Sequence, residues 1–338
     1  MQSIVLESAL FQGAVSLEQV GEGVKPWRIP YQQFALFPPN GINGTAQLSA
    51  GVRLRFASNT GTVRVRIEPV SVEVQLDLVS EGELLQTQIL QPGESEVTFG
   101  PLSASEKVLE IYLPQKAPTV VKELAIDEGS SWSIPEDSRP KWTVYGSSIT
   151  QCNGAFSPAQ TWPAIVARRF GLNLTCFGFS GNCHLEPMVA RMIRDREADL
   201  ISMCLGINVY GGSTLSKRTF QAAVIGLVQI VREKHPDTPI IIQSPIWSPP
   251  REEKQNAVGM TLADMRAEVE EAVQNMTALG DRNLHYVNGL TIFHEAYAEH
   301  LPDELHPNGT GYAIMGENYG NQVMEPMLAR YGLLTARS

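Results

Sequence analysis

Apolar residues recur at every second position through much of the first 130 residues of this chain, and beyond that point the rhythm changes. Val52, Leu54 and Phe56 alternate with arginines, and Val63, Val65 and Ile67 follow the Asn59-Thr60-Gly61 turn. Val72, Val74, Leu76 and Leu78 continue the pattern, and Val97, Phe99, Leu109, Ile111 and Leu113 complete it. A side-chain period of two, with one apolar and one wet face, is the pattern of antiparallel sheet. Turns at Asn40-Gly41, Glu81-Gly82 and Pro92-Gly93 separate short strands, and no stretch reads as a long helix. Five or more such strands predict a β-sandwich of jelly-roll type over 1–130. Trp27, Arg28, Tyr31, Phe34 and Phe37 precede the series. Large aromatics dominate cores and interfaces, so this segment is expected to pack the sandwich or its contact with a second domain. A sugar-stacking surface is the alternative.

After a connector containing Glu128-Gly129-Ser130-Ser131, Pro135 and Pro140, strand and helix patterns alternate over 131–338. Strands are predicted over 142–145, 174–179, 200–205, 240–243 and 284–287. Helices are predicted over 159–170, 184–196, 217–233, 261–278 and 311–329. Strands buried on both faces and separated by helices imply a five-stranded parallel sheet in a three-layer α/β/α domain with right-handed connections. A length of 338 residues suits two such domains.

Charge narrows the partners. A formal net charge of −10 and a pI near 5.2, without a basic stripe, argue against nucleic acid and anionic membranes. No apolar run is long enough to span a bilayer. The first 20 residues lack a basic region ahead of an apolar core, and Glu7 and Glu18 interrupt them. No cleaved signal is therefore expected, and the cytoplasm is the expected location. Cys152, Cys176, Cys183 and Cys204 form no paired CxxC motifs and are expected to be free buried thiols. The adjoining Cys183 and His184 are a weak hint of a zinc site.

The chemistry-bearing residues follow the carboxyl ends of the predicted strands, the edge where ligands collect in open α/β sheets. Ser148 follows the first strand within Val144-Tyr145-Gly146-Ser147-Ser148-Ile149-Thr150, Gly181 follows the second and Asn208 the third. Asp303 and His306 precede the last helix. Ester chemistry needs a nucleophile, a base and a group to orient that base. Ser148 can attack, His306 can take and return its proton, and Asp303 can hold the imidazole. The amides of Ser148 and Gly181 and the side chain of Asn208 can form an oxyanion hole. Taken singly, each has a plainer reading: a helix cap for Ser148, Asp303 or His306, and a turn for Gly181 or Asn208.

In their order, these residues resemble the SGNH hydrolases, also called GDSL-like esterases and acylhydrolases. The nucleophile block appears as Gly146-Ser147-Ser148-Ile149-Thr150 and the second as Gly178-Phe179-Ser180-Gly181-Asn182. The third appears as Gly206-Ile207-Asn208-Val209, and the last is complete as Asp303-Glu304-Leu305-His306-Pro307. Ser147 and Val209 stand where the family has aspartates. The resemblance covers residues 141 to about 329 and implies a serine acyl-enzyme with no metal or organic cofactor. A β-sandwich ahead of such a domain is similar to some carbohydrate acetylesterases and to GDSL-like acyltransferases of polyketide tailoring.

The expected activity is a serine-dependent carboxylic ester hydrolase removing acetyl or other short acyl groups from a carbohydrate or small metabolite. The alternative is an acyltransferase moving the acyl group to a small-molecule alcohol. A carbohydrate-binding module beside a silent α/β domain is a further reading, opposed by the intact Ser148 and His306. The sandwich could instead serve assembly, so a homo-oligomer is left open. Ile246 and Trp247 are candidates for a substrate wall, with ordinary packing as the alternative. His184 could line the cleft or begin a helix, while His235, His285, His294 and His300 are read as structural or solvated.

Overall fold

The computed structural model describes residues 1–38 and 41–334; Asn40 of the expected Asn40-Gly41 turn lies outside them. Among the described residues the amino-terminal part forms two six-stranded antiparallel sheets. Arg53–Ser58 pairs with Lys107–Tyr112 in one sheet, placing Leu109 opposite Phe56. Val63–Ile67 pairs with Val121–Ile126 in the other. The inward positions Leu54, Phe56, Val63, Val65, Leu76, Leu109 and Ile111 share one buried core, the expected consequence of the period-two pattern. The last sandwich strand, Trp132–Ser133, pairs with Arg53–Ser58.

Five parallel strands follow: β1 (Lys141–Gly146), β2 (Asn173–Gly178), β3 (Leu200–Cys204), β4 (Ile240–Gln243) and β5 (Leu284–Val287). Their order is β2-β1-β3-β4-β5. Val144 of β1 aligns with Cys176 on one side and Ser202 on the other. The chain leaves β1 first to one flank and then to the other, so the crevice at its carboxyl end is the topological switch point. Helices cover both faces: α1 (Ser148–Gln151), α2 (Trp162–Phe170), α3 (Pro187–Arg194), α4 (Ile207–Gly212), α5 (Lys217–Arg232), α6 (Leu262–Ala278) and α7 (Gly309–Tyr319). The expected helix over 184–196 begins only at Pro187, which lacks an amide hydrogen and suits the first helical position. Leu185, just before it, sits at φ 62°, outside helical geometry. The expected closing helix is interrupted by a wide turn at Gly320–Met324 before resuming over Glu325–Tyr331. No helix among the described residues is long and apolar enough to cross a membrane.

The two parts share their packing. Trp27, Ile29, Phe37 and Ile42 join the same core as Phe177 and Phe179 on one face of the parallel sheet. Val79 and Tyr112 join the core on the other. The aromatic segment therefore packs at the contact, although Phe34 is partly exposed and lies edge-on to Trp27. Strand β2 is the outer edge of the sheet, and two buried arginines from the sandwich meet its carbonyls. Arg53 Nη1 donates to Leu174 O at 2.9 Å. Arg28 Nη1 donates to Cys176 O at 3.1 Å and to Gly178 O at 2.6 Å. An uncovered edge strand presents unsatisfied backbone groups, and here alternate residues of β2 are satisfied by guanidinium donors.

Beside this contact lies an ion cluster of Arg53, Arg55, Arg139, Glu110 and Asp137. Burial alone would push the Asp137 carboxyl up. The hydrogen bond and charge of Arg139, with Arg55 behind, reverse this and bring it down to about 2. A carboxyl depressed on folding stabilises the fold above its unfolded pKa, and that contribution fades as pH falls through the folded value. Asp137→Asn should therefore lower the urea midpoint at pH 7, with the gap from wild type closing between about pH 4 and pH 2 as checked by fluorescence-monitored denaturation.

Candidate active site

Ser148 is the first residue of α1, immediately beyond β1. Ser147 caps that helix, its Oγ accepting from Ile149 N at 3.2 Å. This gives the family-atypical serine a physical role in the turn. A Cβ on Gly178, at the end of β2, would run into the backbone of Thr150 and Gln151, so the second block can lie against the nucleophile turn only with glycine there. Gly181 has φ +71°, a conformation other residues adopt at a cost.

The distant residues converge. Ser148 Oγ lies 2.8 Å from His306 Nε2, and His306 Nδ1 lies 2.6 Å from Asp303 Oδ2. A carboxylate only accepts, so Nδ1 carries the proton donated to Asp303, and Nε2 is left to accept from the serine hydroxyl. Asp303 Oδ1 also accepts the amides of His306 at 2.6 Å and Leu305 at 3.1 Å. Partial burial would raise the Asp303 carboxyl, but these three hydrogen bonds outweigh it and hold it below the usual range. Glu304, between them, has φ 60°. Its carbonyl accepts from Ser248 Oγ at 2.6 Å and Arg251 Nη1 at 3.1 Å, which braces the loop from outside.

The amides of Ser148 and Gly181 and the side chain of Asn208 are the donors expected from the sequence. As the first helical residue, Ser148 has an amide with no intrahelical acceptor. Asn208 Oδ1 accepts from Cys183 N at 3.0 Å, which fixes the amide so that Nδ2 is the end left over. His184 bridges Gly181 O at 3.0 Å and Thr214 Oγ1 at 2.9 Å, tying the second block to the loop after α4. His184 lies ahead of the helix that begins at Pro187 and so does not begin it. Val209 is fully buried in the core and occupies apolar space where the family carries an acid.

A cavity of about 20 Å³ lies beside the site. Its lining includes Ser147 and Ile149 flanking Ser148, Ile207 before Asn208, Leu305 before His306, and Ile246 after β4. Ile246 therefore walls the cavity, whereas Trp247 packs against the core. Gln243 also lines it, and the buried Oε1 of that residue has no hydrogen-bond partner. All four cysteines are free thiols. Burial pushes Cys204, another lining residue, up to about 12, so it remains a protonated bystander. Among the described residues no group of three or more histidine, cysteine, aspartate or glutamate side chains could hold a metal ion.

Known proteins match along both parts of the chain. Residues 141–324 match the GDSL-like lipase/acylhydrolase family, and residues 9–122 match the amino-terminal domain of SsfX3. The chain belongs to the GDSL-like lipase/acylhydrolase family, in the branch whose catalytic domain follows a β-sandwich. It is 32% identical to a salicylyl-acyltransferase, SsfX3, from a tetracycline biosynthetic pathway, covering 96% of this chain and 97% of that one with a TM-score of 0.88. Two carbohydrate esterases of family two share the fold. The Clostridium thermocellum enzyme is 19% identical over 85% of this chain and 94% of its own, with a TM-score of 0.64. The Cellvibrio japonicus enzyme is 13% identical over 99% of both chains, with a TM-score of 0.63. No curated protein matches the chain. Family and geometry together support serine-nucleophile, acyl-enzyme chemistry, in which either water or an alcohol can be the final acceptor.

The tautomer argument yields a direct expectation. Asp303→Asn places an amide donor or a weaker acceptor against Nδ1, favouring the wrong imidazole tautomer. Turnover of an activated ester should fall about 10³- to 10⁴-fold with circular dichroism unchanged.

Proposed function

We propose that this protein is a serine-dependent acyltransferase that takes a short acyl group from an ester donor and passes it to a hydroxyl of a small molecule. The observation that carries the reading is the relay from Ser148 Oγ through His306 to Asp303, at 2.8 and 2.6 Å. In this scheme the Ser148 proton moves to His306 Nε2 as Oγ attacks the donor carbonyl carbon. The oxygen that becomes negative is met by the amides of Ser148 and Gly181 and by Asn208 Nδ2. Collapse breaks the bond to the leaving alcohol, which takes the proton from His306. An acceptor hydroxyl then gives its proton to His306, attacks the acyl carbon and restores Ser148.

Transfer to an alcohol is favoured over hydrolysis, the first expectation from sequence. The 32% identity over nearly the whole chain is to an acyltransferase, and the sandwich matches that protein's own amino-terminal domain. The carbohydrate esterases resemble this chain in fold alone. The cavity beside Ser148 is small, which favours a short acyl group over a long one. Hydrolysis is the second reading because His306 and Asp303 have side chains 37% and 54% exposed, which leaves the site open to water. In the same proposal the chain divides near residue 130 into an accessory sandwich, which Trp132–Ser133 rejoins as an edge strand, and a catalytic domain that runs to residue 338.

Mass spectrometry of intact protein after brief exposure to p-nitrophenyl acetate should reveal an acetyl adduct on Ser148. Ser148→Ala should abolish it and lower turnover by at least about 10³-fold. Added small alcohols, sugars included, should divert acetyl from acetate into an ester product while p-nitrophenol release continues. Acetate as the sole product across a broad acceptor panel would return the assignment to hydrolysis. Undiminished turnover in Ser148→Ala would remove the mechanism altogether.

A further inference from the structure

The buried guanidinium of Arg28 comes from the sandwich yet makes more contacts to the second catalytic block than to anything else in the catalytic domain. Besides the carbonyls of Cys176 and Gly178, Arg28 Nη2 lies 3.4 Å from Gln151 Oε1, which accepts the amide of Ser180 at 3.1 Å. The guanidinium also stacks over the ring of Phe179, 5.0 Å from its centroid. Gly178, Phe179 and Ser180 are the three residues immediately before Gly181. On the sandwich side, Nε donates to Leu48 O at 2.6 Å and Nη2 to Thr45 O at 2.7 Å. Five hydrogen bonds from a rigid fork thus tie the sandwich segment holding Thr45 and Leu48 to the strand end and turn that carry Gly181.

The electrostatics set Arg28 apart. Arg53, Arg55 and Arg139 in the same contact region each pair with a carboxylate. Arg28 is fully buried, and its hydrogen-bond partners are carbonyl oxygens, four from the backbone and one from an amide side chain. Burial pushes its guanidinium down to about 10, so it stays charged at neutral pH. A buried cation without a counter-ion is costly, and a plain apolar contact between the domains would avoid that cost. What the guanidinium supplies that an apolar side chain cannot is a fixed direction for the Gly178 carbonyl and the Ser180 amide.

From this geometry we infer that Arg28 is a positioning residue for the oxyanion hole, so that the amino-terminal sandwich is a working part of the active site. The inference rests on the reading that the Gly181 amide meets the developing oxyanion. A loop misplaced by about 1 Å costs on the order of 100-fold in rate, and the loss of one oxyanion donor costs 10²- to 10³-fold.

The test uses the full chain with Arg28→Lys, Gln151→Leu and Arg53→Met. Lysine keeps the charge but loses the fork. Gln151→Leu leaves Arg28 on its carbonyls and cuts its link to Ser180. Arg53 grips the same strand further from the site and reports what a purely structural contact does. Measured well below each melting temperature with p-nitrophenyl acetate, Arg28→Lys should lower kcat about 10- to 100-fold with KM within about twofold. Gln151→Leu should show the same signature at smaller size, and Arg53→Met should lower the melting temperature without changing kcat. Affinity for a boronic acid that mimics the tetrahedral intermediate should fall in step with kcat/KM. If Arg28→Lys and Gln151→Leu only lower melting temperature, as Arg53→Met does, the inference is wrong. Should Arg28→Lys fail to fold, Gln151→Leu decides alone: unchanged kcat overturns the inference. If wild-type protein forms no Ser148 adduct, the proposed function fails first, and the two failures are thereby told apart.

Discussion

The outer edge of the parallel sheet is where the molecule is held together. Strand β2 ends the sheet, and on its free side the carbonyls of Leu174, Cys176 and Gly178 need donors from elsewhere. Arg53 and Arg28 provide them from the sandwich. Hydrogen bonds to charged donors are short and directional, so this contact sets orientation as well as attraction. Packing follows from that orientation. Trp27, Phe37 and Ile42 enter one core of the α/β part, while Val79 and Tyr112 enter the other. The two parts are joined at both faces and along an edge, a more constrained arrangement than two domains on a linker.

The site inherits this division of labour. Its acid–base half hangs on one short loop, where Asp303 holds the His306 ring and backbone together and Ser248 and Arg251 hold Glu304. Its proposed anion-binding half is spread over the ends of β1, β2 and β3, each with its own brace. Ser147 caps the nucleophile turn, Cys183 N fixes the Asn208 amide, and His184 ties down the Gly181 carbonyl. Rigid placement of donors before substrate arrives is what makes such a hole effective, because little reorganisation remains for the reaction itself.

Much of this was readable from residues alone. Alternation at Leu54, Phe56, Val63 and Val65 announced one buried face per strand, and the strand-end placement of Ser148 with the Asp303/His306 pair announced the relay that joins them. Both signals are local: a period, or a residue type after a strand. What escaped was non-local. Arg28 looked like one polar residue in an aromatic segment, and its partners in the α/β part lie about 120 to 150 positions away. The roles of Gln151 and His184 depend on backbone groups, which leave no side-chain pattern to find. Pro187 gave a usable signal for the start of its helix, but the strained Leu185 before it did not. The wide turn at Gly320–Met324 has only its leading glycine to mark it.

Ser248 belongs to two structures at once. It lines the small cavity beside the nucleophile, and its hydroxyl holds the carbonyl between Asp303 and His306. Whatever occupies that cavity therefore presses on a wall that also carries the general-base loop. Under the proposed function, an acyl group that fits would leave the imidazole aligned, while one that crowds the wall would shift it by way of Glu304. Discrimination between acyl groups would then be expressed in the speed of the chemical step more than in the strength of initial binding, and a poor donor would occupy the site without being consumed.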